Sequence, residues 1–103
     1  MIHDEESHDK ARRAVLDTLL TLSRASRENP IRHHNLTTIA KNIPRTNSYG
    51  GIDTGDIPNL LKEYIAQNLV KPTEIGQTTE GFYTGYLVDL EMESEIEKIL
   101  RDN

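Results

Sequence analysis

The stretch DTGDIPNLLKEYIAQNLV, residues 53–70, is the segment around which every other element must be arranged. Leu60, Leu61, Tyr64, Ile65 and Leu69 recur at one- and four-residue offsets, the spacing that gathers apolar side chains on one side of a helix. Asn59, Lys62, Glu63 and Gln67 fall on the other side. Thr54 or Asp56 is suited to cap the start, and Pro58 sits where a first-turn proline is tolerated, because an N–H there has no intrahelical acceptor. Asn68 tolerates the left-handed conformation that ends a helix. Leu69-Val70 then opens a strand.

Downstream, residues 69–75 read as that strand, with Pro72 restricting it to a sheet edge or to its own start. GQTTEG, residues 76–81, reads as a hairpin tip bounded by glycines. FYTGYLVDL, residues 82–90, is aromatic and β-branched, with Phe82, Thr84, Tyr86 and Val88 on one face. Gly85 marks a bulge or a close approach of another backbone. Residues 91–101 predict a final helix with Met92, Ile96, Ile99 and Leu100 as its apolar stripe. Its Glu91, Glu93 and Glu95 come early and its Lys98 and Arg101 late, as the helix dipole favours.

Upstream, PRTNSYGGIDTG (44–55) is turn chemistry almost throughout and predicts a surface loop. Before it, Leu36, Ile39, Ala40 and Ile43 define one face of a short helix over residues 36–42, capped by Asn35 and ended by Pro44. Residues 31–35 form a connector. A long helix is expected over residues 7–27, with Ser7 as its cap and Asp9 in its first turn; Asn29-Pro30 stops it. Ala11, Ala14, Val15, Leu19 and Leu22 make its main stripe, and Leu16 and Leu20 widen it. The widened stripe predicts cover on two sides, one by the chain's own core and the other by a second subunit.

A chain of 103 residues is expected to form one domain: a frayed start over 1–6, a core over 7–90 and a C-terminal helix over 91–103. Apolar residues make up 35% and charged ones 28%, which predicts a water-soluble protein with a thin core. No run approaches the roughly 20 apolar residues that a membrane span needs. The start, MIHDEESHDK, is acidic rather than leader-like, and there is no cysteine, so a cytoplasmic home is expected. The net charge of -5 is uneven. Residues 31–72 carry five basic and three acidic side chains, whereas residues 73–103 carry two basic and eight acidic ones. An anion would bind in the middle and be repelled by the C-terminal third.

Helix, short helix, longer helix and then a β-hairpin is the order of a winged helix-turn-helix domain. LTTIAKNI (36–43) resembles the second helix of that family, LLKEYIAQNLVKP (60–72) resembles its recognition helix running into the first wing strand, and GFYTGYLVDL (81–90) resembles the returning strand. A terminal helix after the wing is similar to the small prokaryotic or archaeal regulators of the MarR, ArsR and PadR types, where terminal helices pair subunits. The loop over 44–55 is longer than the family's tight turn, Asn68 stands where the family often has Gly, and Asp53 and Asp56 stand where it usually has small polar or basic residues. The resemblance implies a mainly α fold with a small antiparallel hairpin (α+β), a homodimer, and sequence-specific double-stranded DNA binding in transcription regulation.

Under that reading Asn59, Lys62 and Glu63 face base edges: Asn pairs with adenine, Lys with guanine or phosphate, and Glu accepts from cytosine. Arg45 is the phosphate candidate of the loop, where Ser48, Tyr49 and Thr54 also contact DNA; Lys71 touches the DNA backbone from the first wing strand, and Gln77 and Thr78 bond a phosphate or the minor groove from the wing tip. Glu74 and Glu80 flank that tip and weaken it for DNA. Leu16, Leu20, Met92, Ile96, Ile99 and Leu100 are expected to form the dimer face, the alternative for the terminal-helix stripe being the last layer of the monomer core. The alternative function is a winged helix used for protein–protein contact, which the acidic hairpin and tail favour. Neither a cofactor nor a metal is expected. Adjacent His33 and His34 point in different directions and have no third ligand at a suitable spacing. An enzyme acting on a small-molecule substrate is not expected, because Ser, His and Asp occur in no nucleophile motif and Gly50-Gly51 is only a turn.

Overall fold

A computed structural model describes residues 2–28, 33–46, 52–78 and 81–101, with side chains over 8–28, 33–45, 52–73 and 84–101. The elements run α1 (Ile2–Ala25), β1 (His34–Asn35), α2 (Leu36–Thr46), α3 (Ile57–Ala66), β2 (Val70–Thr78), β3 (Gly81–Val88) and α4 (Glu93–Arg101). Single 3-10 turns at Thr54–Asp56 and Leu90–Met92 lead into α3 and α4. The chain is therefore mainly α with a small antiparallel sheet, the class expected. No helix among the described residues is long and apolar enough to cross a membrane.

The hub is α1, against which α2, α3, β3 and α4 all pack. It starts at Ile2, so Ser7 lies inside the helix instead of capping it. Both sides of α1 are covered by its own chain. Leu16 and Leu20 are 0% and 1% exposed, as deep as Val15 and Leu19 on the main stripe. The second subunit expected over Leu16 and Leu20 is therefore replaced by the chain's own core, which leaves no surface there for a partner. Ser23 adds a polar tie: its buried hydroxyl accepts the Val88 N–H at 3.1 Å.

Asn35 caps α2 as expected, its Oδ1 accepting the Thr38 N–H at 2.8 Å. The helix then runs through Pro44 to Thr46 rather than stopping at residue 42. Proline's fixed φ is already helical, and what is missing is the N–H that would have bonded the Ala40 carbonyl, so one more turn survives at the helix end. The expected 44–55 loop is correspondingly shorter.

The sheet has strand order β1-β3-β2, all antiparallel. β1 was expected as connector; its two residues pair His34 with Tyr86 and Asn35 with Gly85, too short a run to leave a periodic signal. β2 is an edge strand, which accommodates Pro72 opposite Tyr86. The register shift falls between Glu74 and Gly76, leaving Ile75 as the extra residue, so the bulge is not at Gly85. Gly85 instead lies between Asn35 and Thr73 in the central strand. The hairpin pairs as far as Thr78 with Gly81, beyond the tip expected to begin at residue 76.

Asn68 ends α3 with φ 63°, the left-handed turn anticipated from its side chain. The Leu69 N–H bonds the Tyr64 carbonyl and the Asn68 N–H bonds the Ile65 carbonyl, each at 3.0 Å. This pair of bonds is a Schellman closure. Leu69 and Tyr64, each 3% exposed, supply the apolar contact that goes with it. Helix and hairpin are thereby joined without slack. At the far end Arg24 reaches Glu93 and Glu97 of α4, and Arg27 Nη2 lies 3.1 Å from Glu93 Oε2. The Arg24 guanidinium holds the Glu93 carboxyl below the usual carboxylate range. Ile96 is fully buried within the hydrophobic core, so it belongs to the monomer and not to the expected dimer face; Met92, Ile99 and Leu100 are only partly covered.

Candidate functional site

α3 buries Ile57, Leu60, Leu61 and Tyr64 and leaves Asn59, Lys62 and Glu63 exposed. The three polar residues are helical neighbours at offsets of three and four, so they form one continuous strip. The start of α3 differs from expectation. Asp56 occupies the cap position of α3 but makes no side-chain cap bond, whereas Asp53 caps the 3-10 turn that precedes it, its Oδ1 accepting the Gly55 N–H at 3.2 Å. Thr54 is half-buried and places its hydroxyl 3.5 Å from the same Asp53 oxygen, so it does not cap the helix either. Proline stands in the first turn as anticipated.

The continuation of α2 through Pro44 changes the setting of Arg45. Arg45 was expected in a loop; it lies on the last turn of α2, four residues after Lys41, and both are exposed. Residues four apart share a helix face, so Lys41 and Arg45 form a basic stripe that sequence reading missed because it ended the helix too early. Neither Lys41, Arg45 nor Lys62 makes an ion pair among the described residues. Against these cations stand the exposed carboxylates of Asp53 and Asp56.

Two expected contact residues are engaged within the chain. Lys71 Nζ is 3.3 Å from Asp89 Oδ2, and the other Asp89 oxygen accepts the Glu91 N–H at 3.0 Å, so Lys71 is tied to the turn that starts α4. The pair lines a shallow groove of about 400 Å³ with His33 and Leu87. Glu63 pairs with Arg12 of α1. Arg12 also reaches Asp9 at 3.1 Å and lies 5.6 Å from the centre of the Tyr64 ring. Burial pushes the Tyr64 phenol above its ordinary pKa, and the Arg12 and Arg13 charges partly offset that. A second groove, of about 300 Å³, runs here between α1, α3 and α4, with Arg13, Gln67 and Ile99 on its walls. Arg12 was not anticipated: its only cue is the three-residue offset from Asp9, and Glu63 lies 51 residues away.

Ser48 and Tyr49 lie outside the described residues, and Gln77 and Thr78 are placed as backbone in β2 opposite Phe82 and Gly81. Among the described residues no three His, Asp or Glu side chains are grouped to hold a metal ion. The chain matches no protein-family model, and comparison with curated proteins and with solved structures gives no significant match.

Proposed function

We propose that the chain binds double-stranded DNA through α3, as a winged helix-turn-helix regulator of the cytoplasm. The observation that carries this reading is the exposed strip of α3, with Asn59 and Lys62 unengaged; the exposed Lys41 and Arg45 stripe at the end of α2 adds positive charge to the same helix-turn-helix segment of the chain. Helix, helix, helix, hairpin and terminal helix is the order that the resemblance requires, with β1 added to the hairpin. An α-helix fits the major groove, where an Asn reads adenine and a Lys reads guanine or phosphate. Lys41 and Arg45 would hold phosphates and fix the register, the role first assigned to Arg45 and Lys71. Met92, Ile99 and Leu100 pack against the core and stay partly exposed, and pairing of two copies through their exposed part is the homodimer that the resemblance implies. A two-fold pair would place its α3 helices about one DNA turn, ~34 Å, apart.

A protein-contact module is the second reading, favoured by the exposed Asp53 and Asp56 at the head of α3 and by the acidic 73–103 segment. A chemical-shift titration with mixed-sequence duplex DNA at low salt separates the two. DNA binding moves resonances over residues 41–63 and weakens steeply as salt is added. Shifts confined to the C-terminal segment, or none, refute it.

A further inference from the structure

We infer that Arg12 of α1 sets which side chains α3 offers to DNA, by drawing the Glu63 carboxylate away from the exposed strip; the inference rests on the DNA-binding reading. Glu63 follows Lys62 directly and lies one turn after Asn59, on the flank of α3 that faces α1. Left unpaired, its charge would repel the phosphates that Lys62 and Arg45 attract, and its oxygens would be free to accept from a cytosine amino group. Arg12 removes both options. It is the anchored partner, 21% exposed, held by Asp9 and by the Tyr64 ring; Glu63 is 63% exposed and is the side that is captured. Because the pair lies at the surface, it adds little to fold stability. Its effect falls on the charge of the strip, where one carboxylate decides whether Lys62 is balanced by a neighbour or left with a net positive field. Arg13, on the wall of the same groove, adds to the positive potential that keeps Glu63 on the α1 side. The strip that reads DNA is then Asn59 and Lys62, and Glu63 is not a base contact. Arg12 is a positioning residue.

The test is fluorescence anisotropy of a labelled mixed-sequence duplex of about two helical turns with wild type, Arg12→Ala, Glu63→Gln and the double variant. Arg12→Ala is expected to bind about tenfold more weakly, the scale for one uncompensated like charge beside phosphate contacts. Glu63→Gln binds as wild type or slightly better, and the double variant returns to wild-type affinity. Arg12→Gln keeps much of the stem over Tyr64 while losing the charge; it gives the same loss and the same rescue, and it serves if Arg12→Ala fails to fold. A role limited to packing predicts a double variant as weak as Arg12→Ala, and that result overturns the inference while leaving DNA binding intact. Wild-type protein that does not bind the duplex overturns the DNA-binding reading itself, and the inference with it.

Discussion

Asn68 joins α3 to β2, and its replacement tests whether the helix ends by a left-handed turn. Its φ of 63° is open to glycine and tolerable for asparagine, but it presses the Cβ of any other residue against its own carbonyl. The side chain is exposed, so substitution removes no buried packing. The left-handed conformation costs an L-residue about 1–2 kcal/mol, and asparagine escapes part of this by local hydrogen bonding. Asn68→Ala should therefore lose about 1 kcal/mol, and Asn68→Val more, since β-branching crowds the same region. Asn68→Gly relieves the strain but frees the unfolded chain by about 0.4–1 kcal/mol, so the two effects nearly cancel. The expected order of stability is Gly close to Asn, then Ala, then Val. For a domain of this size about 1 kcal/mol shifts Tm by roughly 4–8 °C, readily measured by circular dichroism or calorimetry. An alanine variant as stable as wild type, with glycine the weakest, would follow helix propensity instead. It would refute the Schellman closure and the fixed angle between α3 and the hairpin.

Other outcomes follow from the same contacts. Ser23→Ala leaves the buried Val88 N–H without its acceptor and should destabilise by about 1–3 kcal/mol in urea unfolding; no loss would mean that another group satisfies it. Glu93, whose carboxyl Arg24 holds below its ordinary pKa, contributes stability that is present above the unfolded-state carboxylate value and is lost as pH falls through the depressed one. Asp17 acts in the opposite sense, because burial raises its pKa and protonation on acidification favours the folded form. Glu93→Gln should therefore flatten the acid limb of a stability–pH curve, and an unchanged limb would exclude this pair as its source. Lys62→Ala should leave Tm almost unchanged while reducing the slope of log affinity against log salt for duplex DNA by about one. An unchanged slope would remove Lys62 from the interface.

Much of the fold was legible from residue spacing. The apolar face of α3, its first-turn proline, its left-handed end at Asn68, the Asn35 cap and the edge placement of Pro72 each follow from local chemistry that acts within one or two turns of chain. The stripe of α4 was visible too, because Met92, Ile96, Ile99 and Leu100 recur at three- and four-residue offsets. Other features depend on partners far apart in sequence. β1 is a strand only because Tyr86 and Gly85 lie beside it, and two residues carry no period of their own. Pro44 stays in a helix because its missing hydrogen bond falls near the helix end, and only that extension aligns Lys41 with Arg45. Leu16 and Leu20 could equally have met a second copy; which surface covers them was settled by the packing of the chain's other elements on α1. Periodicity identifies an apolar face but not what covers it, and charge identifies an exposed residue but not its ion-pair partner. Arg12 and Glu63 meet because two helices cross, a fact of three-dimensional distance that no local pattern encodes.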